Sequence, residues 1–173
     1  MENISIKDRE ILREIASRKA ELATNQRNTE ILKMWDALAK GVRQTPTVRL
    51  LYSNFTHEVI GSRLRCEGKD ARALEHRLLA PIVGRELFDD DTPISDRFEV
   101  NVFVKGSPFG ATPIITRAKD SIGYHIEPLT DDIEEDFDIF RNGGFTVDME
   151  GTKEWCAFAD SIFGDILPSR IMQ

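Results

Sequence analysis

Cysteine is nearly absent from this chain: its two cysteines, Cys66 and Cys156, stand far apart and in no C-x-x-C spacing. That excludes a disulfide scaffold or a zinc ribbon and fits two reduced, small buried hydrophobes. Histidine is equally sparse. His57, His76 and His125 are scattered, with no His-x-x-x-His pair to support a metal site. No apolar run approaches the roughly 18 residues of a membrane span, and the start, Met-Glu-Asn-Ile-Ser-Ile-Lys-Asp, has no basic region followed by an apolar core. The expectation is a cytoplasmic protein with no membrane partner. A dense basic field is missing too. Lys and Arg number 23 against 30 Asp and Glu, a net charge of -7, and a nucleic-acid surface needs the opposite balance. There is no Gly-x-Ser-x-Gly elbow. Gly106 to Gly110 is no phosphate loop, because it lacks the Gly-Lys-Ser/Thr end and Pro108 removes a backbone donor.

What is present is ordinary for one globular domain. Of the 173 residues, 40% are hydrophobic and 31% charged, so residues 1–173 are read as a single domain. Ser5 and Asp8 form a helix-start signal. Ile11, Leu12, Ile15 and Leu22 then share a face, which predicts a helix over 5–23. A second helix is predicted over 29–40, with Asn28 as its cap, a stripe of Ile31, Leu32, Trp35 and Leu38, and Gly41 as its stop. Residues 1–44 thus read as a helical hairpin.

The central stretch is Thr47 to Glu58. Val48, Leu50 and Tyr52 alternate with Arg49, Leu51 and Ser53, which predicts a buried strand ending on a polar cluster. Further on, Ala71, Leu74, Leu78 and Leu79 predict a helix, kinked or broken at Pro81 and followed by a second piece over 82–88. Asp89-Asp90-Asp91 reads as a solvated loop or helix end rather than a metal site, since three adjacent carboxylates cannot all face one ion and no Gly-containing calcium-loop spacing follows. Phe98 to Val104 is the clearest strand. Residues 114–118 and 122–126 suggest a hairpin. Thr130-Asp131-Asp132 predicts a helix start with Ile133, Phe137 and Phe140 on its apolar face. Asp148 is expected to cap a last helix bearing Trp155, Phe158, Ala159 and Ile162, closed by Gly164. Ile166 to Met172 looks like the approach to another strand.

Asn54, His57 and Glu58 are the ligand-binding candidates. A His at a strand's end can serve as acid, base or ligand, and Glu58 could orient it. The alternative is a turn cap followed by a helix start. His76 is expected to be exposed and His125 structural or exposed. No catalytic residue is assigned.

The order of these elements resembles the N-terminal part of the uroporphyrinogen decarboxylase-like superfamily, which includes corrinoid-dependent methyltransferases. Trp35 and then Thr56-His57-Glu58 occupy the places of a helix pair ending near Trp and a Trp-His-Glu-like turn. Asp96, Phe98 to Val104 and Phe109-Gly110 resemble the next strand and its turn. Thr130 to Glu135 resembles a helix start, and Ile162 to Pro168 the approach to a third barrel strand. Thr56 stands where the family has Trp, no arginine lies within Ser53 to Glu58, and no His-x-Cys zinc segment is present. The resemblance implies an α/β fold: the hairpin of residues 1–44, then part of a (β/α)8-type barrel over 45–173. If the chain stands alone, an α+β sheet covered by helices is the alternative. It further implies that corrinoid or zinc would act only in a complete chain, that this region alone has no turnover, and that its partners are a small-molecule ligand, the remaining C-terminal barrel or a second copy in a homodimer. A stand-alone ligand- or partner-binding module is the other functional reading.

Overall fold

In a computed structural model the protein is a mixed α/β chain with no closed barrel among the described residues. Those are residues 4–42, 45–51, 56–107, 110, 112–117 and 123–172. They form two compact units, Met1–Val100 with Glu154–Met172, and Asn101–Lys153.

The first unit holds the core. Helix α1 (Ile6–Thr24) is capped by the Ser5 side chain, which accepts from the Asp8 N–H. Its buried face is Leu12, Ile15, Ala16, Lys19 and Ala23, while Leu22 is only half-buried. Helix α2 (Gln26–Ala39) starts earlier than predicted. Asn25, not Asn28, caps it. Asn28 is buried instead. Its amide donates to the Ala23 and Ile94 carbonyls and its oxygen accepts from the Ile94 N–H, so a polar side chain in the interior is satisfied. Ile31 is buried, but Leu32 and Leu38 are exposed, so the expected apolar stripe is only partly used. Gly41, at φ +68°, ends the helix as expected.

A short helix α3 (Thr56–Ile60) and a 3-10 turn (Gly61–Arg63) lead to α4 (Lys69–Phe88). Helix α4 runs through Pro81 without a break, so the expected second piece is simply its last two turns. Helix α1 packs chiefly on α4 rather than standing apart with α2 as a hairpin. Leu12, Leu74, Leu78 and Ile82 fill the space between α1 and α4. Strand β1 (Phe98–Asn101) pairs with β6 (Ser169–Met172). The Phe98 ring meets Phe163 of α5 (Met149–Phe163) edge-on at 5.3 Å. Arg13 donates to the Ile162 carbonyl and, in a two-pronged pair, to Asp165. An arginine of α1 thereby covers an open carbonyl at the end of α5.

The predicted strand Phe98 to Val104 is two strands. It divides at Val102. Strand β2 (Phe103–Ser107) pairs antiparallel with β5 (Gly144–Asp148), matching Phe103 to Asp148 and Ser107 to Gly144. Asp148 caps α5 as expected. Its carboxylate accepts from the Gly151 N–H and is held below the usual carboxylate range by the Lys105 ammonium and that N–H. Buried Thr152 accepts from the Phe103 N–H and donates to the Asp148 carbonyl. The expected hairpin is β3 (Ile115–Arg117) with β4 (Tyr124–Ile126), placing exposed His125 opposite Thr116. Its turn, and Pro108-Phe109, lie outside the described residues.

The helix predicted from Thr130 is absent. Residues 133–135 form a turn and Phe137–Asn142 a 3-10 helix. Carboxylates at 131, 132, 134, 135, 136 and 138 repel at helical spacing, and Ile133 and Phe137 remain exposed, so no buried stripe offsets that repulsion.

Gly106 is irreplaceable here. At φ +141° a side chain is strained, and a Cβ would lie 2.1 Å from the Gly144 carbonyl oxygen. Gly106→Ala is expected to open the β2–β5 pair, read as faster amide exchange over 103–107 and 144–148 while α1 and α4 stay protected.

Candidate functional site

The stretch that carried the functional expectation is not a strand over its described residues 47–51, and Tyr52 to Phe55 lie outside the described residues. Residues 46–51 have no regular structure, and Val48, Leu50 and Leu51 are exposed. The acidic run orders this segment. Asp91 Oδ2 accepts from the Val48 N–H at 2.9 Å and Asp90 Oδ2 from the Leu50 N–H at 2.6 Å, while the Asp91 N–H returns a bond to the Val48 carbonyl. Side-chain carboxylates thus take the place of a neighbouring strand along one edge. Asp89 is a helix end, the left-handed C-cap of α4, and Asp90 and Asp91 are more than a solvated loop. Burial opposes ionisation of Asp90, but the Leu50 and Thr92 N–H groups, the Thr92 hydroxyl and Arg85 outweigh it and hold the group below the usual range. The Trp35 indole donates to the Asp91 carbonyl at 2.5 Å, and Arg27 reaches Asp89 and Asp91. Asp90→Ala is expected to free the segment: trypsin cuts after Arg49 faster, with a loss of global stability of about 1 kcal/mol or less because the bonds are exposed.

Of the three ligand candidates, Glu58 lies exposed in α3. His57 belongs to the same helix, but its side chain is outside the described residues, and Asn54 is wholly outside them. His76 is half-buried rather than exposed. Among the described residues no group of three His, Cys, Asp or Glu side chains could hold a metal ion, and no helix is long and apolar enough to cross a membrane.

The densest polar chemistry lies elsewhere, where α1 and α4 meet the 64–68 loop. Asp8 is buried and accepts from the Glu67 and Gly68 N–H groups at 3.0 and 3.1 Å. Burial raises its pKa, yet these bonds, with Ser5 and Cys66, bring it below the usual range. Glu75 is fully buried and accepts from the Arg65 N–H at 2.7 Å and the Cys66 N–H at 2.9 Å. Cys66 sits between the two carboxylates. Burial, then Glu75 and Asp8, push its thiol up to about 12. It is an inert thiol rather than a nucleophile. Cys156 is half-buried and burial raises its pKa as well. This loop knot holds structure together and offers no reacting group.

Lys19 is the other buried charge. Its ammonium donates to the Arg97 carbonyl at 2.6 Å. Burial lowers its pKa to about 8, with Glu99 and Asp96 acting the other way and Arg77 adding to the fall. Arg77 stacks over the Phe98 ring, 5.8 Å from its centre. Sequence reasoning missed Lys19, although a signal was there. It stands four residues after Ile15 and seven after Leu12, on the apolar face.

Comparison with known proteins found no family model, no curated protein and no solved structure that matches this chain.

Proposed function

We propose that this chain is the N-terminal region of a cytoplasmic, uroporphyrinogen decarboxylase-like protein, from the group that includes the methyltransferases. In this reading Asn54, His57 and Glu58 line a small-molecule mouth, the rest of the barrel completes it, and this region alone does not turn over. The observation that carries the reading is the neighbourhood of β1. Strand β6 follows α5 in sequence and pairs beside β1, with β2 to β5 lying between β1 and α5 in the chain; a strand that leaves a helix to pair beside an earlier strand is the neighbourhood that supports a barrel. The 47–51 segment, whose Val48 and Leu50 N–H groups are bonded by side chains, supports a strand position that takes neighbours. Zinc and corrinoid enter no step here. The sequence has no His-x-Cys segment, and the described residues assemble no metal ligands.

The coding sequence after Gln173 tests this. The expected result is a continuing frame, or a partner chain, that supplies further alternating strands and helices with a late His-x-Cys segment. A closed frame, together with a monomer that gains nothing from any such partner, would overturn the reading.

One observation favours the second reading, a stand-alone α+β binding module. The core around Leu12, Leu74, Phe98, Val100 and Phe163 is fully buried within the first unit, so that unit is able to fold without further chain. A dissociation constant for a small ligand at the His57–Glu58 end, unchanged by any added barrel segment, would decide for it.

A further inference from the structure

Among the described residues of Asn101–Lys153 no hydrophobic side chain is buried. The loop 130–142 shows this most sharply. It forms an open groove of about 530 Å³ lined by Ile133, Glu134, Glu135, Phe137, Asp138 and Arg141. Ile133 is 62% exposed and Phe137 54%. The loop is held in shape from within. The Thr130 hydroxyl donates to Asp136, and Asp132 accepts from the Glu134 and Glu135 N–H groups. Its cation is occupied: Arg141 lies over the Phe137 ring and pairs with Asp138. No ion pair joins Asp131, Glu134 or Glu135 to a described cation.

We propose that this groove docks a protein segment whose apolar side chains are flanked by lysines or arginines. Apolar side chains enter over Ile133 and Phe137, and the flanking cations meet the carboxylates that the loop leaves without a counter-charge. The same charge turns away nucleic acid and anionic lipid. The loop's internal bonds are already made, so little ordering opposes binding. Neither the groove nor its occupant depends on the barrel reading.

The probe is a labelled helical peptide of about four turns, patterned with leucine on one face and lysine on the other. It is titrated into the full chain by fluorescence anisotropy. Saturable binding is expected, weakened about tenfold by Phe137→Ser, weakened by added salt, and absent for the same peptide with glutamate in place of lysine. The double change Glu134→Lys and Glu135→Lys keeps the apolar groove and should abolish preference for the basic peptide, which decides the matter if Phe137→Ser perturbs folding. A lysine-only peptide that binds equally well, or binding indifferent to both variants, overturns the proposal, as does no binding. Self-association of the chain that Phe137→Ser removes would make a second copy the occupant and overturn it as well.

Discussion

Glu75→Leu is expected to lower the free energy of unfolding by about 3 kcal/mol, because two N–H donors then face an apolar side chain. Glu75 is fully buried, and each carboxylate oxygen takes one donor. Oε1 accepts from the Arg65 N–H and Oε2 from the Cys66 N–H. Leucine is close in size, so loss of packing is a minor part of the effect. The penalty comes from leaving the donors of the 64–68 loop without partners while α4 still covers them. Glu75→Gln separates the causes. Glutamine keeps one acceptor oxygen but turns an NH2 group towards the second donor, so about half the loss is expected. Urea unfolding of the three proteins measures this. Equal stability of Glu75→Leu and the parent would mean that the loop donors find other partners and that Glu75 does not hold the loop in place.

The same residue shows where the sequence could be read and where it could not. Helix periodicity located α1, α2, α4 and α5, because in each a stripe of apolar residues faces a common core. Ser5, Gly41 and Asp148 marked ends correctly, since capping is a local matter of a few atoms. Glu75 and Lys19 sat in those stripes as apparent errors of pattern. Their partners, the N–H groups of 65 and 66 and the carbonyl of 97, are backbone groups outside the two helices and carry no side-chain signal. The failure at Thr47 to Leu51 has the same origin. Alternation there is real, but a strand needs a neighbour, and what residues 48 and 50 receive is a pair of aspartates from 90 and 91. Residues 130–142 carried a good start signal, yet a helix in water draws most of its stability from a packed face, and Ile133 and Phe137 have none. The candidate site was legible only as residue types after an alternating run. Glu58 is placed, and the chemistry of Asn54 and His57 remains where the sequence left it, as an expectation that substitution can test.

Lys19 gives the second large effect, and it is one of pH. Its folded pKa is about 8, against an ordinary value of 10.5. The folded protein therefore prefers the neutral amine. Below pH 8 the ammonium is charged in both states, and the fold bears the full cost of burying it, about 3 kcal/mol for a shift of this size. Between pH 8 and 10.5 the unfolded chain still binds the proton and the folded chain has released it, so stability rises with pH. Cys66 works against this at the upper end. Its raised pKa keeps a proton on the folded protein that the unfolded chain loses above pH 9, so its contribution falls as pH rises. The two are separated by the difference between the parent and Lys19→Met, in which the thiol's contribution cancels. Methionine keeps the buried stem and removes the charge, at the cost of the bond to the Arg97 carbonyl. At pH 7 the variant is expected to equal or exceed the parent in stability. Relative to it, the parent should then gain about 3 kcal/mol by pH 10.5. A difference that stays flat across that window would mean the ammonium is as well solvated in the fold as in water, and the buried lysine would have to be reassigned to the surface.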